Sequence, residues 1–132
     1  MSKSFYKIFA ILLLFCSSCD DSKEDIVFNS LKGVYKCHEN SVHSGFRSYL
    51  VELDSVTNQE NLFIILNFHN SGENEFLYAT IRNDSIHIEN QLINNMFITG
   101  KGHISEDLKQ IDIFYLTDDG LTQLDYYAKF FR

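Results

Sequence analysis

The sequence predicts an all-β fold of about eight antiparallel strands, and three observations predict it. Beyond Lys32 no stretch of about ten residues keeps a helical period; apolar and polar residues alternate in short runs, the period of a half-buried strand. Short polar turns separate those runs at near-regular spacing. Proline is absent, so nothing interrupts long strands. Consecutive antiparallel strands on short connections point to a meander that closes as an up-and-down barrel, because closure removes exposed edges. A two-sheet β-sandwich is the alternative.

The elements follow in order. Ile26, Val27, Phe28 and Leu31 fit one helical turn ahead of the first strand. In that strand Tyr35 and Cys37 alternate with Lys36 and His38, and next Tyr49, Val51 and Leu53 alternate with Leu50, Glu52 and Asp54. From Asn61 to His69 the chain is almost wholly apolar, which predicts a strand buried on both faces. Phe76 to Ile81 follows, then Asn83-Asp84, a two-residue turn that tolerates positive φ. Ser85 to Glu89 alternates cleanly. Met96 to Ile104 is strand-like, with Gly100 and Gly102 predicting a bend or bulge. Ser105-Glu106-Asp107 turns the chain, and Ile111, Ile113 and Tyr115 alternate with Asp112 and Phe114. Asp118-Asp119-Gly120 is a strong hairpin signal, and the last strand runs from Leu124 to Phe131.

The first 25 residues are of another kind. Lys3 and Lys7 precede an apolar run from Ile8 to Cys16, too short for a spanning helix, which needs roughly 20 apolar residues. Small Ser17 and Ser18 then lead into Cys19 and the acidic run Asp20-Asp21-Ser22-Lys23-Glu24-Asp25. This resembles a bacterial lipoprotein signal, cleaved just before a lipidated cysteine. Cys16 follows bulky Phe15, so Cys19 is the residue the resemblance assigns to the lipid. Three parts result: a signal peptide at 1–18, a lipidated cysteine and acidic tether at 19–25, and one barrel domain at 26–132. The resemblance implies a bacterial cell envelope protein, lipid-anchored in the outer membrane on its periplasmic or outer face. Three acyl chains at about 0.8 kcal/mol per buried methylene would hold it there permanently.

Charge and cysteine content narrow the classes. The chain has 11 Lys and Arg against 18 Asp and Glu. Residues 1–18 hold only Lys3 and Lys7 among these, so the remainder carries 9 bases and a net charge of −9. The bases are scattered singly, with no basic footprint for nucleic acid. Once Cys16 leaves with the signal and Cys19 takes lipid, Cys37 stands alone, and the fold rests on its apolar core. Its place between Lys36 and His38 predicts a buried structural thiol.

Gly33-Val34-Tyr35 after an apolar turn resembles the opening of lipocalin-like (calycin) domains, where an aromatic ring on the first strand plugs the barrel base. The resemblance implies that Tyr35 takes that plug role, where the family has Trp, and that Arg132 stacks upon it. Tyr35-Lys36-Cys37 on a first strand is also similar to the membrane-bound lysozyme-inhibitor lipoproteins. Those pair the cysteine and carry a Ser-Gly-x-x-Tyr-type loop. Here Cys37 has no partner, and Ser44-Gly45-Phe46-Arg47 and Ser71-Gly72-Glu73-Asn74 both lack the tyrosine.

No catalytic or metal signature emerges. His38, His43, His69, His87 and His103 lack the paired spacing of a zinc site. His38 and His43 flank Glu39 in what reads as a solvated loop; His69, His87 and His103 read as surface. Asp118-Asp119-Gly120 is too short for a calcium loop, and nucleophile elbows and phosphate loops are absent. The expectation is a non-enzymatic envelope protein without a cofactor, whose barrel binds a small apolar ligand or another envelope component. Candidate interior-lining residues are Tyr49, Val51, Phe63, Ile65, Phe76, Tyr78, Phe97, Phe114 and Tyr126. The alternative is a structural or interaction subunit that acts through its outer surface.

Overall fold

The structure, a computed structural model, describes residues 29–132. Eight antiparallel strands follow chain order around one closed barrel. They are β1 (Gly33–Ser41), β2 (Gly45–Ser55), β3 (Leu62–Leu66), β4 (Phe76–Arg82), β5 (Ser85–Ile93), β6 (Met96–Ile104), β7 (Gln110–Asp118) and β8 (Gln123–Phe131). A helical turn at residues 29–31 precedes β1. β8 closes onto β1, with Cys37 opposite Phe130 and Asn40 opposite Tyr127. A single sheet without a free edge decides for the barrel over the sandwich, and the architecture is compatible with a lipocalin-like barrel. The signal segment, Cys19, the acidic tether and Ile26, Val27 and Phe28 lie outside the described residues. Among the described residues no helix is long and apolar enough to cross a membrane.

Alternation decides what is inside. Tyr35 and Cys37 of β1, Val51 and Leu53 of β2, Ile111 and Ile113 of β7, and Ala128 and Phe130 of β8 all point inward and are buried. Side chains fill an eight-stranded barrel of this size. Antiparallel order puts the connections at two ends. The base carries the helical turn and the β2–β3, β4–β5 and β6–β7 connections; the rim carries β1–β2, β3–β4, β5–β6 and β7–β8.

Tyr35 seals the base. Its hydroxyl donates to the Leu31 carbonyl at 2.8 Å. The Arg132 guanidinium lies over its ring and donates to the Lys32 carbonyl at 2.8 Å and to that of Ser30.

Two expectations need correction. The apolar run from Asn61 does not stay extended to His69: β3 ends at Leu66, and Leu62, Ile64 and Leu66 are only half-buried. Asn67 turns left-handed at φ 57, and a 3-10 turn follows at Phe68–Asn70, with His69 also left-handed at φ 58. Asparagine tolerates that conformation, so the run is broken by its own flanks. The turn folds into the rim and drives Phe68 into the interior, edge-on to Tyr115 at 4.7 Å and Phe130 at 6.1 Å. The irregularity expected at Gly100 and Gly102 sits in the neighbouring strand, between Ile88 and Gln91 of β5. The glycines stay in register and serve close packing instead. A Cβ on Gly100 would lie 2.7 Å from that of Tyr115, and one on Gly102 would overlap the Asp112 carbonyl.

Candidate functional site

Two features of the fold stand out: a polar knot inside the rim and a groove on the outer wall. The knot starts from strand parity. Glu39 shares the inward row of Tyr35 and Cys37, and the β1–β2 register sets it opposite Arg47 and sets Cys37 opposite Tyr49. Glu39 is thus only 1% exposed. Burying a carboxylate is costly unless charge and hydrogen bonds compensate it. Arg47 donates from Nε to Oε1 at 2.8 Å and again from Nη2. Tyr49 donates to Oε2 at 2.5 Å, and Tyr115 donates to the same oxygen from β7. His69 completes the set, with Nδ1 2.6 Å from the Tyr115 hydroxyl, 3.0 Å from Arg47 Nη2 and 3.6 Å from Glu39 Oε2.

Electrostatics follow from this packing. Burial works against ionisation of Glu39, but the hydrogen bonds from His69, Tyr115, Tyr49 and Arg47 outweigh it and hold the carboxyl at about 2. Burial first, and neighbouring negative groups second, push the Tyr49 and Tyr115 phenols far above their ordinary value. Burial pushes the Cys37 thiol up to about 12, which leaves it protonated and inert. Tyr126 stacks on Tyr115 at 5.1 Å and meets His69 edge-on at 4.8 Å. Every oxygen of the carboxylate is engaged. The knot ties β1, β2, β7 and the 3-10 turn together.

The groove lies across β5 to β8 and the end of β1, with a volume of about 610 Å³. One cross-strand row runs His87–Lys101–Phe114–Tyr127–Asn40 on the outer face. Phe114 and Tyr127 lie 4.7 Å apart, and Tyr127 donates to Asp112 Oδ1 at 2.5 Å. Burial and that carboxylate raise the Tyr127 phenol to about 12. Leu116 is exposed beside them, and Leu92 and Phe97, an exposed cross-strand pair, extend the apolar surface toward the rim.

The expected interior set divides. Val51, Phe63, Ile65 and Tyr126 are buried inside, and Tyr49 is partly buried against the core. Phe76, Tyr78, Phe97 and Phe114 point outward instead and are 44–61% exposed. Their strands bury Leu77 and Ala79, Ile98, and Ile113 and Tyr115 on the opposite parity, and a strand cannot face one way with both. His69 and Glu39 also depart from expectation, one expected on the surface and the other in a solvated loop. His38 packs on the outer wall between the Phe46 and Phe131 rings. His103 sits exposed, 3.6 Å from Asp84. Among the described residues no group of three His, Cys, Asp or Glu side chains could hold a metal. Comparison with known protein families and with curated proteins found no match.

Proposed function

We propose that this protein is a non-enzymatic interaction module of the bacterial envelope, lipid-anchored to the outer membrane through Cys19 and acting on an envelope protein through its outer wall. The groove of about 610 Å³ beside exposed Phe114 and Leu116 and half-buried Tyr127 carries this reading. Aromatic side chains in a concave patch are the usual anchors of protein interfaces, and contiguous exposed apolar surface marks interaction sites. Phe68 supports it as well: by filling the interior it leaves the wall as the available surface. The anchor rests on the Ser17-Ser18-Cys19 signal, with the acidic run as a tether.

A photo-cross-linking residue placed at Phe114 or Tyr127 of the full chain, in the cells that make it, tests the groove. Discrete adducts from both positions, and none from Glu52 outside the groove, support the reading. Equal labelling at all three, or none, rejects it. A small apolar ligand in the lipocalin-like barrel is the second reading. A recess of about 200 Å³ beside the Phe68 turn, lined by His69, Ser71, Ile93, Met96 and Ile98, favours it. Native mass spectrometry of protein from its own membrane separates the two. An extra mass lost on organic extraction supports the ligand; a bare polypeptide mass rejects it.

A further inference from the structure

The two ends of the barrel differ in charge and in apolar exposure. The chain enters β1 at the base, where Lys32, Arg82, Lys109 and Arg132 stand among acidic neighbours. The rim carries Glu73, Glu75, Asp118, Asp119 and Asp125, and its connections contain no lysine among the described residues. Its guanidinium, Arg47, is bound to Glu39. The free charges of the rim are therefore acidic, concentrated on the β3–β4 connection and the β7–β8 hairpin.

Two apolar side chains rise from the same rim. Val42 at the β1–β2 tip is 91% exposed and Leu121 at the β7–β8 tip is 95% exposed. These hairpins are neighbours because β8 pairs with β1. Neither side chain contributes burial to the fold, so each leaves apolar area in water that only a partner could remove. The groove runs up to this point, since Ser41, Val42 and Asp125 belong to its lining. A field of one sign repels an anionic membrane surface and steers a surface of opposite charge onto it.

We infer that the rim docks a cationic protein surface, with Val42 and Leu121 entering apolar recesses and the rim carboxylates facing lysines and arginines. The inference rests on the surface-binding reading and adds the end of the barrel and the charge of the partner. The base, where the tether joins, then faces the membrane, and the rim faces away from it.

The test uses the full chain in neutral detergent and two labelled peptides, one alternating lysine with leucine and one alternating glutamate with leucine. Fluorescence anisotropy should show binding of the lysine peptide alone. Affinity should fall at least tenfold between about 0.1 M and 1 M salt, as the Debye length shortens from about 10 Å to 3 Å. It should fall at least tenfold again in a Val42→Ser/Leu121→Ser variant, whose changes are too exposed to disturb the fold. Equal binding of both peptides, or no effect of the double variant, overturns the proposal. Binding to neutral phosphatidylcholine vesicles that the double variant abolishes also overturns it, in favour of a lipid surface. If cross-links from Phe114 persist while the rim variant changes nothing, the rim fails and the groove reading stands; loss of both fails both.

Discussion

The guanidinium carbon of Arg132 lies 4.7 Å from the centroid of the Tyr35 ring, joining the start of the first strand to the end of the last. The same side chain reaches the carbonyls of Ser30 and Lys32, so it closes the base around the helical turn. Arg132→Ala should cost about 2 kcal/mol, from a cation–π contact and hydrogen bonds to the carbonyls. Arg132→Lys should recover part of that, since an ammonium keeps the charge but lacks the planar fork. Urea unfolding measures both; a loss within about 0.5 kcal/mol, the usual range of surface changes, would sink the plug.

Glu39 governs the other end. Removing it as Glu39→Ala leaves part-buried Arg47 and the Tyr49 and Tyr115 hydroxyls without their shared acceptor, a loss of about 3 kcal/mol. Tyr115→Phe deletes one bond to a charged acceptor and should cost about 1.5–3 kcal/mol. If Tyr115→Phe equals or exceeds Glu39→Ala, the carboxylate is not the centre of the knot.

The pH dependence has two limbs. Glu39 drops from an ordinary 4.5 to about 2 on folding, so its contribution is present above pH 4.5 and is lost as pH falls toward 2. That shift corresponds to on the order of 3 kcal/mol. Cys37, Tyr49 and Tyr115 shift upward, so their contribution is present below pH 9 and is lost as pH rises beyond it. Thermal melts across pH should show a plateau between those limits, and Glu39→Gln should flatten the acid limb. An unchanged acid limb in that variant would assign acid unfolding to other carboxylates.

Gly102 is a steric requirement rather than a conformational one. An added Cβ meets the Asp112 carbonyl of β7, so Gly102→Ala should cost about 3 kcal/mol, the upper end of overpacking. Gly120 has open space but φ of +87°, so Gly120→Ala should cost only about 1 kcal/mol. The reverse ranking in denaturant would mean that β6 and β7 can part at low cost.

Cys19→Ser removes the thiol that would carry the lipid. Labelled palmitate should be incorporated by the wild-type chain and not by the variant, and the variant should leave the membrane fraction. Labelling that persists would move the anchor to Cys16 or remove it from the signal altogether.

Much of the barrel was legible because its strands keep parity. Ile111, Ile113 and Tyr115 show their buried face directly, as do Ile86 and Ile88. The two-residue turn at Asn83-Asp84 is where its residue types put it, with Asn83 at φ 53. Glu39 was legible in principle, because it keeps the parity of Tyr35 and Cys37, and a charge in an inward row marks a paired site. Asn94-Asn95, both left-handed between Ile93 and Met96, was legible in principle as well, since asparagine tolerates that conformation. Phe76, Tyr78, Phe97 and Phe114 were not legible, because apolar residues on both parities leave the inward face undefined.

The sequence by itself determined the all-β class and the strand rhythm, since these follow from period-two patterning and turn chemistry between neighbours; it left barrel and sandwich open, and the β8–β1 pairing closes the barrel. Only the tertiary structure decided that Phe68 fills the interior, that His69 and Tyr115 meet Glu39, and that Phe114 and Tyr127 lie side by side on the outer wall. Those outcomes depend on register across the closing β8–β1 pair and on a left-handed turn at Asn67. Local propensity acts over a few residues, whereas Tyr115 reaches Glu39 across 76 positions of chain. No pattern within one strand specifies which inward side chains will share a layer of the barrel.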